Sequence, residues 1–203
     1  MKDSHDQPVA PAPDEASAAG STPAEAPACA PASRSRPDLI GHLLFWPVAV
    51  GGLALDLWSK SAVFAFLKAH VDYTYPVIDG LVRLVLAENE GAAFGMAAGR
   101  QPVLIAVAVV AMFVILGLFF WGGTNQRLTQ LAMGLFAAGI TGNLYDRLFN
   151  DGCVRDFIDV YYRSWHWYTF NVADALLCTA VGLLLVSSFM PQRPRQTRDP
   201  QRK

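Results

Sequence analysis

Nineteen consecutive residues, Val103 to Trp121, carry no charge. As a helix rising about 1.5 Å per residue, such a run covers the ~30 Å hydrocarbon core of a bilayer. Lipid offers no hydrogen-bond partners, so the backbone of a spanning segment must satisfy itself, and a helix does that. Three more apolar runs follow the same logic: roughly Leu39 to Trp58, Leu128 to Tyr145 and Val172 to Met190. The first contains His42 and Pro47. The third is rich in Gly and Ala, which lets helices approach closely in lipid. The expected fold class is an all-α membrane protein with four transmembrane helices.

The ends of the chain are different. Residues 1–37 are rich in Pro, Ala, Ser and acidic side chains, and are expected to be a disordered extension. No apolar stretch precedes Cys29, so this extension reads neither as a lipid-attachment box nor as a secretory signal peptide. Residues 38–190 form the membrane domain, and 191–203 a basic tail. A net charge of -1 argues against nucleic-acid binding. Cys29, Cys153 and Cys178 make no metal-ligand spacing and no even disulfide framework, and Cys178 reads as a small buried hydrophobe.

Basic residues set the orientation. Arg193, Arg195, Arg198, Arg202 and Lys203 lie in the tail, Arg34 and Arg36 precede the first span, and Arg127 links spans two and three. Positive residues favour the cytoplasm, so both termini are expected there. Residues 59–102 and 146–171 then face outward. In the first of these connections Asp79-Gly80 is a turn pair followed by a β-rich run to Leu86, which predicts a small outer sheet. Ser61 to Ala69 reads as an extension of helix one or as an interfacial helix. The second connection is dense in aromatics (Tyr161, Tyr162, Trp165, Trp167 and Tyr168), read as membrane-interface anchors rather than substrate contacts.

Polar residues inside a membrane are costly and usually carry function or a specific pairing. Here they gather at one depth. Asp56 and Lys60 end span one, Asn143, Asp146 and Arg147 end span three, Asp156 and Asp159 lie in the outer connection, and Asn171 and Asp174 open span four. Asp56 and Lys60 are four apart and share a helix face, as do Asn143 and Arg147. Taken alone, these are boundary ion pairs of little worth, and Asn171 with Asp174 is a helix cap. Convergence of several such groups from three helices favours a functional cluster. The segment Asn89-Glu90-Gly91-Ala92-Ala93-Phe94-Gly95 reads as a tight turn or as a place where a substrate backbone comes close.

Five short blocks complete the picture. Asp56-Leu57-Trp58-Ser59-Lys60 resembles D-x-x-S/T-K, and Asn89 to Phe94 resembles N-x-G-A-A-F. Gly142 to Arg147 resembles G-N-x-x-D-R, Val154 to Phe157 resembles V-x-D-F, and Phe170 to Asp174 resembles F-N-x-A-D. In this order and on one side of four spans, they resemble the lipoprotein signal peptidase (signal peptidase II) family.

The resemblance implies a membrane aspartyl endopeptidase with no cofactor and no metal. It would cleave diacylglyceryl-modified prolipoproteins before the lipidated cysteine, as a monomer of the bacterial inner membrane in contact with lipid. Asp156 and Asp174 would be the catalytic pair. Asn89, Asn143, Arg147 and Asn171 would orient substrate or the pair, and Asp56 and Lys60 would support the site. It also implies a small periplasmic sheet and sensitivity to the cyclic peptide globomycin. Two departures stand out. The segment from Arg147 to Asp156 is one residue longer than the pattern, through Asn150-Asp151-Gly152, and the N-terminal extension is not part of it.

Two carboxylates sharing one proton can activate water without metal or triad. Asp174, early in its helix, is the expected ionised member because a helix N-terminus stabilises negative charge. A transporter would instead spread polar groups through the bilayer depth, and a scaffold would use the Asp residues for structure alone.

Overall fold

The computed structural model describes residues 37–70, 72–91, 99–122 and 126–190. The N-terminal extension, except for Pro37, and the basic tail lie outside these residues, as do Ala92 to Gly95 of the Gly/Ala-rich block.

Among the described residues four helices carry the fold: α1 (Leu39–Lys68), α2 (Gln101–Trp121), α3 (Arg127–Phe149) and α4 (Val172–Phe189). Three of them, α1, α2 and α4, are long and apolar enough to cross a membrane. On α2 only Phe119 is buried, while Val107, Val110, Phe113 and Leu118 point outward. An uncovered apolar surface of this kind suits lipid, not water.

α3 falls short of that hydropathy because it is the helix at the centre. It packs against α1, α2 and α4, and its buried side combines small residues with Gln130, Asn143 and Asp146. The small residues set the spacing. A Cβ added at Gly134 would lie 2.8 Å from the Phe45 carbonyl oxygen, and one at Gly139 would lie 2.7 Å from that of Ala173. Next to the Gly134 contact, Phe45 stacks on Phe119, with centroids 4.1 Å apart, beside Met133 and Ala137.

The first helix corrects one expectation. Residues 61–68 form no separate interfacial helix; they are the last turns of α1. No Gly or Pro lies between Trp58 and Lys68, so nothing breaks the backbone ladder. Pro47 sits inside the same helix, where it deprives the Leu43 carbonyl of its usual donor. At the helix start Asp38 caps Gly41 and pairs with Arg127 at 2.6 Å, which holds its carboxyl well below the usual range.

The connections build one antiparallel sheet in the order β1-β2-β3-β4. β1 (Thr74–Ile78) and β2 (Val82–Asn89) form the expected hairpin, with Gly80 at φ 75 in its turn. β3 (Val154–Tyr162) and β4 (Trp165–His166) come from the aromatic-dense connection. Between Arg147 and Asp156 the chain makes a turn where Asp151 and Gly152 take positive φ and Cys153 N–H donates to the Asn150 carbonyl.

Candidate active site

The site is assembled where β3 meets the ends of α3 and α4. Two devices fix β3. Phe170 pairs with Ile158 through backbone bonds of 2.9 and 3.0 Å, bringing the start of α4 alongside the strand. Asp146, at the end of α3, accepts the Arg155 backbone N–H at 3.0 Å and its guanidinium at 2.6 Å. Asp156 is thus flanked by two anchored neighbours.

Asp156 is buried and accepts two amide hydrogen bonds. Asn89 Nδ2 donates to Oδ2 at 3.0 Å and Asn171 Nδ2 donates to Oδ1 at 2.6 Å. The strand register explains the first: Ala87 lies opposite Asp156, and Asn89, two residues on, projects to the same face. Asn89 Nδ2 also bonds the Tyr168 hydroxyl.

Asp174 lies at the third position of α4 in a reciprocal cap with Asn171. The Asp174 N–H donates to Asn171 Oδ1 at 3.0 Å, and the Asn171 N–H donates to Asp174 Oδ2 at 3.3 Å. Its other oxygen accepts from Asn143 Nδ2 at 2.8 Å. Asn143 Oδ1 in turn accepts from Asn171 Nδ2 at 3.1 Å and from Lys60 Nζ at 3.1 Å. Asn171 and Asn143 therefore form a bridge of neutral amides between the two carboxylates.

Beneath this bridge is a compensated charge layer. Lys60 Nζ contacts Asp56 at 2.8 Å and Asp146 at 3.2 Å, all three fully buried. Arg155 supplies the second cation, so two positive groups face two negative ones. Asp56 also accepts the Ala173 N–H at 2.8 Å, which ties α1 to the first turn of α4. The pair that taken alone would be a boundary ion contact is a buried strut. Breaking such a network costs roughly 3–5 kcal/mol, because a lone charge is left behind.

Asp156 and Asp174 line one cavity of about 520 Å³ with Asn89, Gly91, Asn143, Arg147, Trp167 and Tyr168, and with Leu177 and Cys178 further along α4. Burial pushes the Asp156 carboxyl up to about 6; the Asp174 charge adds to this, while the amides of Asn89 and Asn171 pull it back. The Arg147 guanidinium donates to the Gly91 carbonyl at 3.0 Å, and its buried Nε has no partner among the described residues.

The expected cluster of Asp56, Lys60, Asn89, Asn143, Asp156, Asn171 and Asp174 is one connected network, with Arg147 at its cavity wall. Asp159 is not in it: it pairs with Arg83 at 2.7 Å and touches His166 at 3.2 Å. Cys178 is exposed along the cavity, which corrects its reading as a buried hydrophobe. Arg155 and Tyr168 escaped the sequence reading as site residues. Arg155 adjoins Asp156, and Tyr168 reads in sequence as an anchor, so its nearness to the F-N-x-A-D block is the signal that singles it out.

A sequence model of the family described as signal peptidase (SPase) II matches residues 48–190. The chain belongs to the signal peptidase II family. It is therefore a protease of a membrane-embedded class. The lipoprotein signal peptidase of Geobacter sulfurreducens is 39% identical over 155 residues, covering 75% of this chain and 95% of the relative. That of Rhodopirellula baltica is 40% identical over 164 residues, covering 73% and 72%. Two solved structures titled as bacterial membrane enzymes share the signal peptidase II chain's fold at TM-scores of 0.66 and 0.62, with 22% and 23% identity. They cover 80% and 78% of this chain and 99% of their own.

Proposed function

We propose that this chain is the aspartyl endopeptidase that removes signal peptides from diacylglyceryl-modified prolipoproteins, cutting before the lipidated cysteine. The observation that carries the reading is that Asp156 and Asp174, from different elements, face one cavity and are bridged by the amides of Asn171 and Asn143.

The resting dyad holds one proton, on Asp156. Asp174, in the first turn of α4, is the ionised member. Asp174 takes a proton from water as the water oxygen bonds to the scissile carbonyl carbon, and Asp156 gives its proton to the carbonyl oxygen. On collapse the C–N bond breaks. The nitrogen leaves with the proton that Asp174 took, and the re-forming carbonyl returns the other to Asp156. Asn89 and Asn171 hold Asp156, Asn143 holds Asp174, and Asp56 and Lys60 brace the helices that carry them. Arg147, which lines the cavity and whose Nε has no partner among the described residues, would hold a substrate carbonyl.

The same reading makes all four helices spans, with both termini cytoplasmic and the sheet on the periplasmic side of the inner membrane. The basic residues of the tail and of the link at Arg127 support it. Residues 38–190 form the working domain, as a monomer, with 1–37 and 191–203 as appendages. The aliphatic stretch of cavity along α4 suits acyl chains or the apolar signal segment.

The test is incubation of the purified protein with a diacylated prolipoprotein. Cleavage before the modified cysteine, blocked by globomycin and indifferent to chelators, is expected. Loss of activity with a chelator would contradict the aspartyl mechanism.

A further inference from the structure

Tyr168 stands apart from the aromatics around it. Trp165 and Trp167 are exposed, as interface anchors are, whereas Tyr168 is half-buried, lines the cavity along α4 and meets Asn89 with its hydroxyl.

The backbone puts it there. The Trp167 N–H donates to the Val160 carbonyl at 2.8 Å, and Phe170 exchanges two backbone bonds with Ile158. The stretch that carries Tyr168 is thus fixed along β3 at both ends. On the other side of β3 lies β2, which carries Asn89. Side chains from both neighbours of β3 meet at Asp156.

The Asn89 side chain is fully committed. Its Oδ1 accepts the Gly91 N–H at 3.0 Å, which fixes the sense of the amide, since an amide nitrogen donates only. Its Nδ2 has two hydrogens: one goes to Asp156 Oδ2 at 3.0 Å and the other to the Tyr168 hydroxyl. Without the phenol, the second hydrogen loses its acceptor inside a half-buried site, where an unmade bond costs more than a made one gains. The amide is then free to turn off Asp156.

We infer that Tyr168 is a positioning residue of the dyad: its hydroxyl holds the Asn89 amide in the orientation that donates to Asp156. The inference rests on the proteolytic reading above and adds to it a residue outside the five sequence blocks.

Tyr168→Phe, Asn89→Ala and the double variant test it, in cleavage of a diacylated prolipoprotein and in thermal unfolding from about pH 5 to 8. Phe keeps the ring and removes one oxygen. The charged groups that act with Asp156, namely Lys60 of α1, Arg147 of α3 and Asp174 of α4, stay in place. Tyr168→Phe should lower kcat roughly five- to tenfold, with KM nearly unchanged. Asn89 favours the ionised form of Asp156, so a loosened amide should move the alkaline limb, and the pH at which stability is lost, upward. Asn89→Ala should move them the same way, and adding Tyr168→Phe to it should change neither further. A wild-type kcat and unmoved pH profile in Tyr168→Phe, a change in KM alone, or an undiminished Tyr168→Phe effect in the Asn89→Ala background would each overturn the inference while the proteolytic reading stands. Failure of the wild type to cleave would overturn that reading, and the unfolding measurements would still decide whether Tyr168 acts on Asp156 through Asn89.

Discussion

Asn171 donates to Asp156 Oδ1 at 2.6 Å, and the same residue caps the helix that carries Asp174. One side chain thus sets both halves of the dyad: its amide fixes the strand carboxylate, and its carbonyl oxygen fixes the first turn of α4. Replacing it with Ala removes a cap and a hydrogen bond to Asp156. A loss of about 1–2 kcal/mol of stability and of roughly 10²-fold in kcat is expected. Asn171→Ser keeps a neutral capping oxygen but no amide donor, so thermal stability should fall less than in Asn171→Ala while activity is still lost. Thermal unfolding and cleavage assays on the two variants in detergent separate the roles.

The pH profile follows from Asp156. Its proton is required, and its carboxyl titrates at about 6, with the value belonging to the coupled pair. Above that pH kcat/KM should fall by about tenfold per unit. Substrate excludes water and raises the carboxyl further, so the alkaline limb of kcat should lie higher than that of kcat/KM. Stability has the same sign. A carboxyl raised in the folded state stabilises fully below its ordinary value of 3.8, and that contribution is lost as pH rises through about 6. Asp156→Asn should flatten this part of the profile, as measured by thermal unfolding at pH 5 and 7.5.

Lys60 is the cation on which two buried carboxylates depend. Lys60→Met keeps the volume and leaves Asp56 and Asp146 short of a positive partner. A destabilisation of about 3–5 kcal/mol is expected. If denaturant titration finds the variant as stable as the wild type, the charge layer is not the strut described.

Packing between α3 and α4 is set by Gly139. An added Cβ would meet Leu177 Cγ at 2.6 Å and the Ala173 carbonyl oxygen at 2.7 Å. The backbone cannot swing aside as a side-chain tip can, so Gly139→Ala should cost about 1–3 kcal/mol. It should also lower kcat, because Ala173 directly precedes Asp174 in the chain. Gly51 has nothing within 4 Å of an added Cβ, so Gly51→Ala is the matched control, with unchanged kcat expected.

The sequence shows most plainly what lipid and chain chemistry dictate locally. The lengths of α2 and α4 follow from their apolar runs because lipid tolerates little else. The β1–β2 hairpin follows from Asp79-Gly80, since that pair favours positive φ. β3 was hidden because Asp156 and Asp159 are poor strand formers in isolation; pairing with β2 and the docking of Phe170 override that preference. The site residues were legible because charge within an apolar protein stands out. Their connectivity was not, since Arg155 on Asp146 and Lys60 on Asn143 are long-range contacts that no spacing encodes. Cys178 was misread because an apolar run does not say which face turns to the cavity.

The central claim is that Asp156 and Asp174 act as one unit. Single-turnover cleavage of a diacylated prolipoprotein by Asp156→Asn, Asp174→Asn and the double variant tests it most directly, with thermal unfolding to verify that each remains folded. Each single change should cost at least roughly 10³-fold, and the double variant should be no slower than the worse single one. A single variant that stays folded and cleaves at the wild-type rate would contradict the account.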